Sequence, residues 1–177
     1  MLDTLITSKT RIKLLLRFFL NSNSSSYLRN LESEFGESSN AIRLELNKFE
    51  EAGLLHSELD GNKKLFRANT KHPLFRDIHN ILLKYIGFDK IISIVDKLGN
   101  LEKVFVAGAF ANGLDHPVID LIFVGNDINR NYLMRLTEKA ERLINRKIRY
   151  MVMSREEFME YKKSNGGEEM LLLWSGE

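Results

Sequence analysis

The stretch NAIRLELNKFEEAGLL, residues 40–55, with DGNKKLFRAN, residues 60–69, decides how the first part of this chain folds. Ile42, Leu46 and Phe49 recur at helical spacing and point inward, leaving Asn40, Arg43, Asn47 and Lys48 to face out. Ser38 or Ser39 supplies the N-cap and Gly53 stops the helix. Leu54 to Glu58 and Lys63 to Ala68 are short extended runs either side of Leu59-Asp60-Gly61-Asn62, which predicts a β-hairpin.

Working back toward the N-terminus, Ser8 can cap a helix whose apolar face is Ile12, Leu15, Leu16, Phe19 and Leu20. Lys9, Arg11, Lys13 and Arg17 recur on its other side, so the segment reads as an amphipathic helix and not as a signal or membrane span. The polar run Asn21 to Ser26 ends it. Ser26 then caps a short second helix carrying Leu28, Leu31 and Phe35, closed by Gly36. Three helices followed by a hairpin make a winged helix-turn-helix, residues 1–72.

His72-Pro73 marks a domain edge, because a residue before proline is pushed out of the helical region. Leu74, Ile78, Ile81, Leu82, Tyr85 and Ile86 define one amphipathic helix, and Ile91, Ile92, Ile94, Val95 and Leu98 another, ending at Gly99-Asn100. Residues 73–100 are thus expected to link or dimerise. From residue 101 to 177 the pattern is mixed. KVFVAG (103–108) and VIDLIFVG (118–125) read as neighbouring strands, Asn129 to Ile144 as a helix and KIRYMVMS (147–154) as a third strand. SREEFMEYKK (154–163) carries a helix start signal, and MLLLWSGE (170–177) is a last strand or packed tail. The expected fold class is α+β.

Composition sets bounds without naming a function. With 44% hydrophobic and 28% charged residues the chain is expected to fold, and a net charge of +2 makes no global demand for nucleic acid. The absence of cysteine removes disulfides and thiolate metal sites and fits the cytoplasm. His56, His72, His79 and His116 are scattered, with no metal-ligand spacing, so neither metal nor cofactor is expected.

Any case for DNA must therefore be local. In a helix-turn-helix the third helix enters the major groove, which makes Ser38, Ser39, Asn40 and Arg43 the base-reading candidates. Asn pairs bidentately with adenine and Arg with guanine; Asn47 lies further along the same face. Lys48, Lys63, Lys64 and Arg67 sit where a helix end and a wing meet phosphates. Against this, Glu37, Glu45, Glu50 and Glu51 dilute the positive field, and the same face could serve protein interaction. Over residues 8 to 75 the helix, the wing and the HPLF that follows resemble the ArsR-type winged helices of bacterial transcription regulators. The resemblance implies double-stranded DNA as partner, while the missing thiolates set the chain apart from that group's metal sensors.

GAFANGLDHPVIDLIFVG, residues 108–125, resembles the signature of minimal nucleotidyltransferase domains. There a Gly-Ser pair opens a phosphate-holding loop and two carboxylates on the next strand hold divalent metal. Gly108 is kept, but Ala109 stands at the serine position and Val118 at the first carboxylate, with Asp120 matching the second. Arg149 and Tyr150 stand around the place where a further acid is expected, and Asp115 lies in the loop ahead of Pro117. The resemblance thus implies a vestigial nucleotide site at Gly108, Ala109 and Asp120, without catalysis.

Taken together, the order of the parts resembles a class of bacterial two-domain regulators. The reading is a homodimeric DNA-binding regulator whose C-terminal region supports dimerisation or senses a small-molecule or nucleotide ligand, with no membrane partner. The alternatives are an active nucleotidyltransferase targeted by its winged helix, and an antitoxin-like interaction module.

Overall fold

The computed structural model describes residues 2–95, 98, 100–166 and 168–176, and the side chain of residue 3 is left aside. The expected turn at Gly99 lies outside the described residues. The fold is α+β, in two compact units, Met1–Tyr85 and Ile86–Glu177. That division falls inside one helix, so residues 73–85 go with the first unit and residues 86–100 with the second.

In the first unit, a short helix α1 (Leu2–Leu5) precedes α2 (Lys9–Leu15), and the Ser8 hydroxyl accepts the Arg11 N–H at 3.2 Å. The chain then passes through a π-helical turn, Leu16–Leu20. This wide turn carries fewer degrees per residue than an α-helix and so rotates the faces set up by α2. Leu14, Leu16, Phe18, Phe19 and Leu20 are all fully buried, each large side chain contributing about 1.5–3 kcal/mol. The simple amphipathic helix expected here is corrected in one respect: Arg17 is only 7% exposed. Its Nε lies 3.1 Å from Glu34 Oε2, the partner that makes a buried guanidinium tolerable.

The serine-rich run also departs from expectation. Ser25–Tyr27 form strand β1, and the following helix α3 (Leu28–Phe35) is capped at Tyr27 without a side-chain bond, so Ser26 is a strand residue and not an N-cap. The Ser24 hydroxyl donates to the Arg17 carbonyl, which lets a polar side chain be buried at the helix end. Gly36, at φ +63°, closes α3 as expected. Helix α4 (Ser39–Glu51) follows, its N-cap Ser38 accepting the Ala41 N–H at 3.3 Å, and Ile42, Leu46 and Phe49 are buried.

Strands β2 (Leu55–Asp60) and β3 (Lys63–Ala68) make the hairpin. Asp60 faces Lys63 in register, so the turn is the two residues Gly61-Asn62, and Leu59 and Asp60 belong to the strand. Gly61 supplies the positive φ that so short a loop needs. The sheet order is β1-β3-β2, antiparallel throughout. After His72-Pro73 comes α5 (Phe75–Ile86), where His79 Nδ1 lies 2.7 Å from the Phe19 carbonyl and Phe75 packs on Phe19 at 5.5 Å between ring centres. His79 is thus a packing residue of this unit.

In the second unit, α6 (Phe88–Val95) leads to β4 (Leu101–Ala107), the short α7 (Gly108–Ala111) and β5 (Val118–Gly125). Then come α8 (Arg130–Ile144), β6 (Lys147–Met153), α9 (Arg155–Ser164) and β7 (Leu171–Ser175). The mixed sheet runs β6-β5-β4-β7, with β5 and β6 parallel and the other pairs antiparallel. The C-terminal run is the last strand, with Trp174 opposite Val104. β5 is covered on both faces, which explains its nearly unbroken apolar sequence. Leu121 and Phe123 line one contact region with Val95 of α6 and Leu133 of α8. Ile122 and Val124 cluster with Ala107 and Phe158 of α9, where Phe105 stacks on Phe158 at 4.7 Å. Ser154 and Glu157 form the capping box of α9.

The expected dimer seam is largely consumed by the core. Leu82, Ile86, Ile91, Val95 and Leu98 are buried, while Leu74 and Ile81 remain 54% and 49% exposed.

Candidate functional site

The outward face of α4 follows from its buried one. With Ile42, Leu46 and Phe49 turned in, the 3.6-residue period presents Asn40, Arg43 and Asn47 in one row, and all three are exposed. Ser38 is exposed at the N-cap, Ser39 is half-buried, and Lys48 is exposed at the far end. On the hairpin, Lys63, Lys64 and Arg67 are exposed as well.

The fold brings some of these residues together. Arg43 and Asn47 line one groove of about 530 Å³ with Lys63 and Lys64 of β3 and Arg29 of α3. Ser38, Asn40, Lys48 and Arg67 lie outside that groove. Arg29 was not among the sequence candidates; its place at the second position of α3 beside the hairpin depends on the tertiary fold. Lys63 Nζ sits 5.9 Å above the Tyr27 ring, a cation–π contact that leaves its charge near the surface.

The acidic residues that dilute this face in sequence are mostly turned to other work. Arg11 Nε binds Glu45 Oε2 at 2.8 Å, Lys13 Nζ binds Glu37 Oε1 at 2.6 Å, and Lys64 Nζ binds Glu50 Oε2 at 3.1 Å. Burial works against the charge on Glu45 and on Glu37, yet Arg11 and Lys48 for the first, and Lys13 and Thr10 for the second, hold each carboxyl below its ordinary value. For Glu50 the Ser57 hydroxyl bond is the largest influence, again downward, with Lys64 adding to it against burial. Glu51 stays exposed without an ion pair among the described residues. Lys48 and Lys64 share their charge with these acids, whereas Arg29, Arg43 and Lys63 have no ion-pair partner among the described residues.

A second site lies in the other unit. β4 ends at Ala107 and the chain turns through Gly108, φ +63°, where an added Cβ would stand 2.6 Å from Asp120 Oδ2. Asp120 is opposite Ala107 on β4 and opposite Arg149 on β6. Arg149 Nε donates to Asp120 Oδ1 at 2.5 Å, and this bond raises the guanidinium's already high pKa. The pocket, about 320 Å³, also receives Tyr161 of α9 and Glu168, whose carboxylate accepts the Tyr161 hydroxyl at 2.9 Å. That bond is the largest of the influences raising the phenol pKa of Tyr161. Sequence reading missed Tyr161 and Glu168, which reach the pocket from a helix and a connection with no spacing relation to Asp120.

The residues present do not fit a divalent metal. Asp120 is the third residue of β5 and one of its oxygens is bound by a guanidinium, Glu168 of the same pocket accepts the Tyr161 hydroxyl, and no group of three His, Cys, Asp or Glu side chains converges among the described residues. Val118 is paired with Lys147 at the start of β5, Ala109 offers no hydroxyl, and Asp115 is held by Arg146 Nη1 at 2.7 Å.

No protein-family model and no curated protein sequence matches the chain. Among solved structures it is similar to reduced HlyU from Vibrio cholerae, with 14% identity, 47% of this chain and 82% of that one covered, and a TM-score of 0.37. It is also similar to a proposed nucleotidyltransferase from Sulfolobus solfataricus, with 24% identity, 54% and 82% covered, and a TM-score of 0.36. A third is the toxin-antitoxin MntA-HpeT, with 14% identity, 51% and 74% covered, and a TM-score of 0.39. No function passes to this chain from likeness of that degree.

Proposed function

We propose that this protein is a DNA-binding transcription regulator that reads duplex DNA through α4 and holds its backbone with the β2–β3 wing. The observation that carries this reading is the sorting of charge on the first unit: Arg29, Arg43 and Lys63 stay exposed around one groove while Glu37, Glu45 and Glu50 are ion-paired. A major groove admits one helix, and its edges reward a row of Asn and Arg side chains such as Asn40, Arg43 and Asn47. Lys63, Lys64 and Arg67 on the wing would then meet phosphates and fix the register. Reading a two-fold site would need two protomers with helices about 34 Å apart, and Leu74 and Ile81 offer exposed apolar surface for pairing.

For the second unit we propose a role in dimerisation or in sensing a small molecule, without group transfer. The Asp120–Arg149 pair supports this, because a guanidinium bound to one oxygen of the carboxylate brings a positive charge to the place where a metal would sit. Among the described residues no helix is long and apolar enough to cross a membrane.

Selection of bound fragments from genomic DNA with the purified full chain tests the reading and names the target together. A recurring sequence is the expected result; a pool indistinguishable from its input would remove the proposal. Incubation with labelled nucleotide, Mg²⁺ and cell extract tests the second unit. Transfer that disappears in Asp120→Ala would restore the transferase alternative.

A further inference from the structure

The groove beside α4 joins a cationic rim, which duplex DNA can use, to an apolar floor that DNA leaves largely uncovered. Its floor is apolar: Leu46 and Phe66 are buried, 1% and 4% exposed, and Leu28 lies half-buried beside them. Its rim is cationic, with Arg29, Arg43 and Lys63 standing around that floor against the single carboxylate of Glu32. DNA presents phosphates and base edges to such a face, and the thymine methyl is the apolar group it can offer to a depression between a helix and a hairpin, too small to cover three large side chains.

Size and charge together select an occupant. A volume of about 530 Å³ falls in the range of sites that take small organic molecules. An apolar body would cover Leu28, Leu46 and Phe66, and an anionic head would meet guanidinium groups that have no ion-pair partner among the described residues. We infer that this groove binds a small amphipathic carboxylate, an apolar chain or ring bearing one acid group. Such a ligand would occupy Arg43 and Lys63, so it and DNA exclude one another at this face. The site stands on its own residues and would bind with or without a role in reading DNA.

The test uses octanoate as probe and 1-octanol as its uncharged counterpart, titrated into the isotopically labelled full chain and followed by backbone amide NMR. Octanoate should give saturable shifts clustered at residues 28, 46, 63 and 66, at concentrations on the order of 1 mM. Losing the charge should weaken binding about tenfold, as 1-octanol would show. The exposed substitutions Arg29→Ala and Arg43→Ala, which leave the buried floor intact, should each weaken octanoate severalfold without lowering the melting temperature. Equal binding of octanoate and 1-octanol would overturn the inference, as would shifts clustered elsewhere, or none. A second arm adds octanoate to a complex with any duplex the chain binds. Release of DNA by octanoate but not by 1-octanol supports exclusion; simultaneous binding overturns that part while the NMR result judges the site.

Discussion

The α4 face and the Asp120 pocket are built from the same kinds of side chain and differ in which of them are spent. Around α4 two of the acids are consumed by partners, Glu45 by Arg11 and Glu37 by Lys13, and Arg29 and Arg43 are left unpaired among the described residues. In the pocket, the acid and the cation consume each other, Asp120 with Arg149, and Glu168 is taken by Tyr161. A surface with exposed cations and a carboxylate held by a guanidinium follow from the same electrostatics applied to different neighbours. The contrast can be tested by removing one partner at a time.

The largest effect is expected from Arg43→Ala, which should cost about 1–3 kcal/mol of binding to the preferred duplex and flatten sequence preference, with stability unchanged. Competition between selected and random duplex measures it, and equal losses on both would remove Arg43 as a base reader. Next is Glu45→Ala, which leaves Arg11 without its carboxylate in a side chain-rich setting where Glu45 is only 7% exposed. It should destabilise the first unit by about 1–2 kcal/mol in a denaturant melt followed by circular dichroism.

Acid should act on the same pairs. Glu37, Glu45 and Glu50 all titrate below their ordinary value of 4.5 in the folded unit. A depressed carboxylate stabilises fully above its unfolded pKa, and that contribution is lost as pH falls through the folded pKa. In the second unit Glu141, bonded by the Ile148 N–H, and Glu156 are held low as well, so below about pH 4.5 the transition read by circular dichroism and the one read by Trp174, the single tryptophan, on β7 of the second unit, should both fall. Transitions that stay in place as the pH falls below about 4.5 would contradict the stabilising role of these carboxylates.

Lys63→Ala should weaken all duplexes alike, lowering the slope of log affinity against log salt by about 1. Lys64→Ala should do less, because Lys64 already shares its charge with Glu50. The smallest effect is expected from Asp120→Asn: no loss of DNA binding and only a minor change in melting, since the Arg149 side chain is 76% exposed and its ion pair is screened by water.

What was legible in sequence was local. Ser8 and Ser38 cap the helices they precede, Gly36 closes the turn, and Ile42, Leu46 and Phe49 mark the buried side of α4, because each of these acts within a turn or two of the chain. β1 escaped because three residues are too few to display a period of two, and Ser25 and Ser26 are weak strand formers whose placement comes from pairing with β3. Arg17 was misplaced because a π turn shifts the faces and nothing in the spacing of apolar residues announces it. The fate of the acids was hidden for a different reason. Glu37 and Glu45 find their partners 24 and 34 residues away, so these two acids dilute the surface charge less than the sequence suggests. In the second unit Ala109 and Val118 could be read from the sequence, while the arrival of Tyr161 and Glu168 at the Asp120 pocket needed the fold.

The claim that α4 and the wing form a DNA-binding surface is tested most directly by titrating the full chain with its selected duplex at several salt concentrations. Phosphate contacts from Lys63 and Arg67, with lesser ones from Lys48 and Lys64, predict that log affinity falls with log salt at a slope of about −2 to −4 per protomer, and that Arg43→Ala lowers affinity for the selected duplex while leaving most of that slope. Binding that is flat in salt, or no binding at low salt, would contradict it.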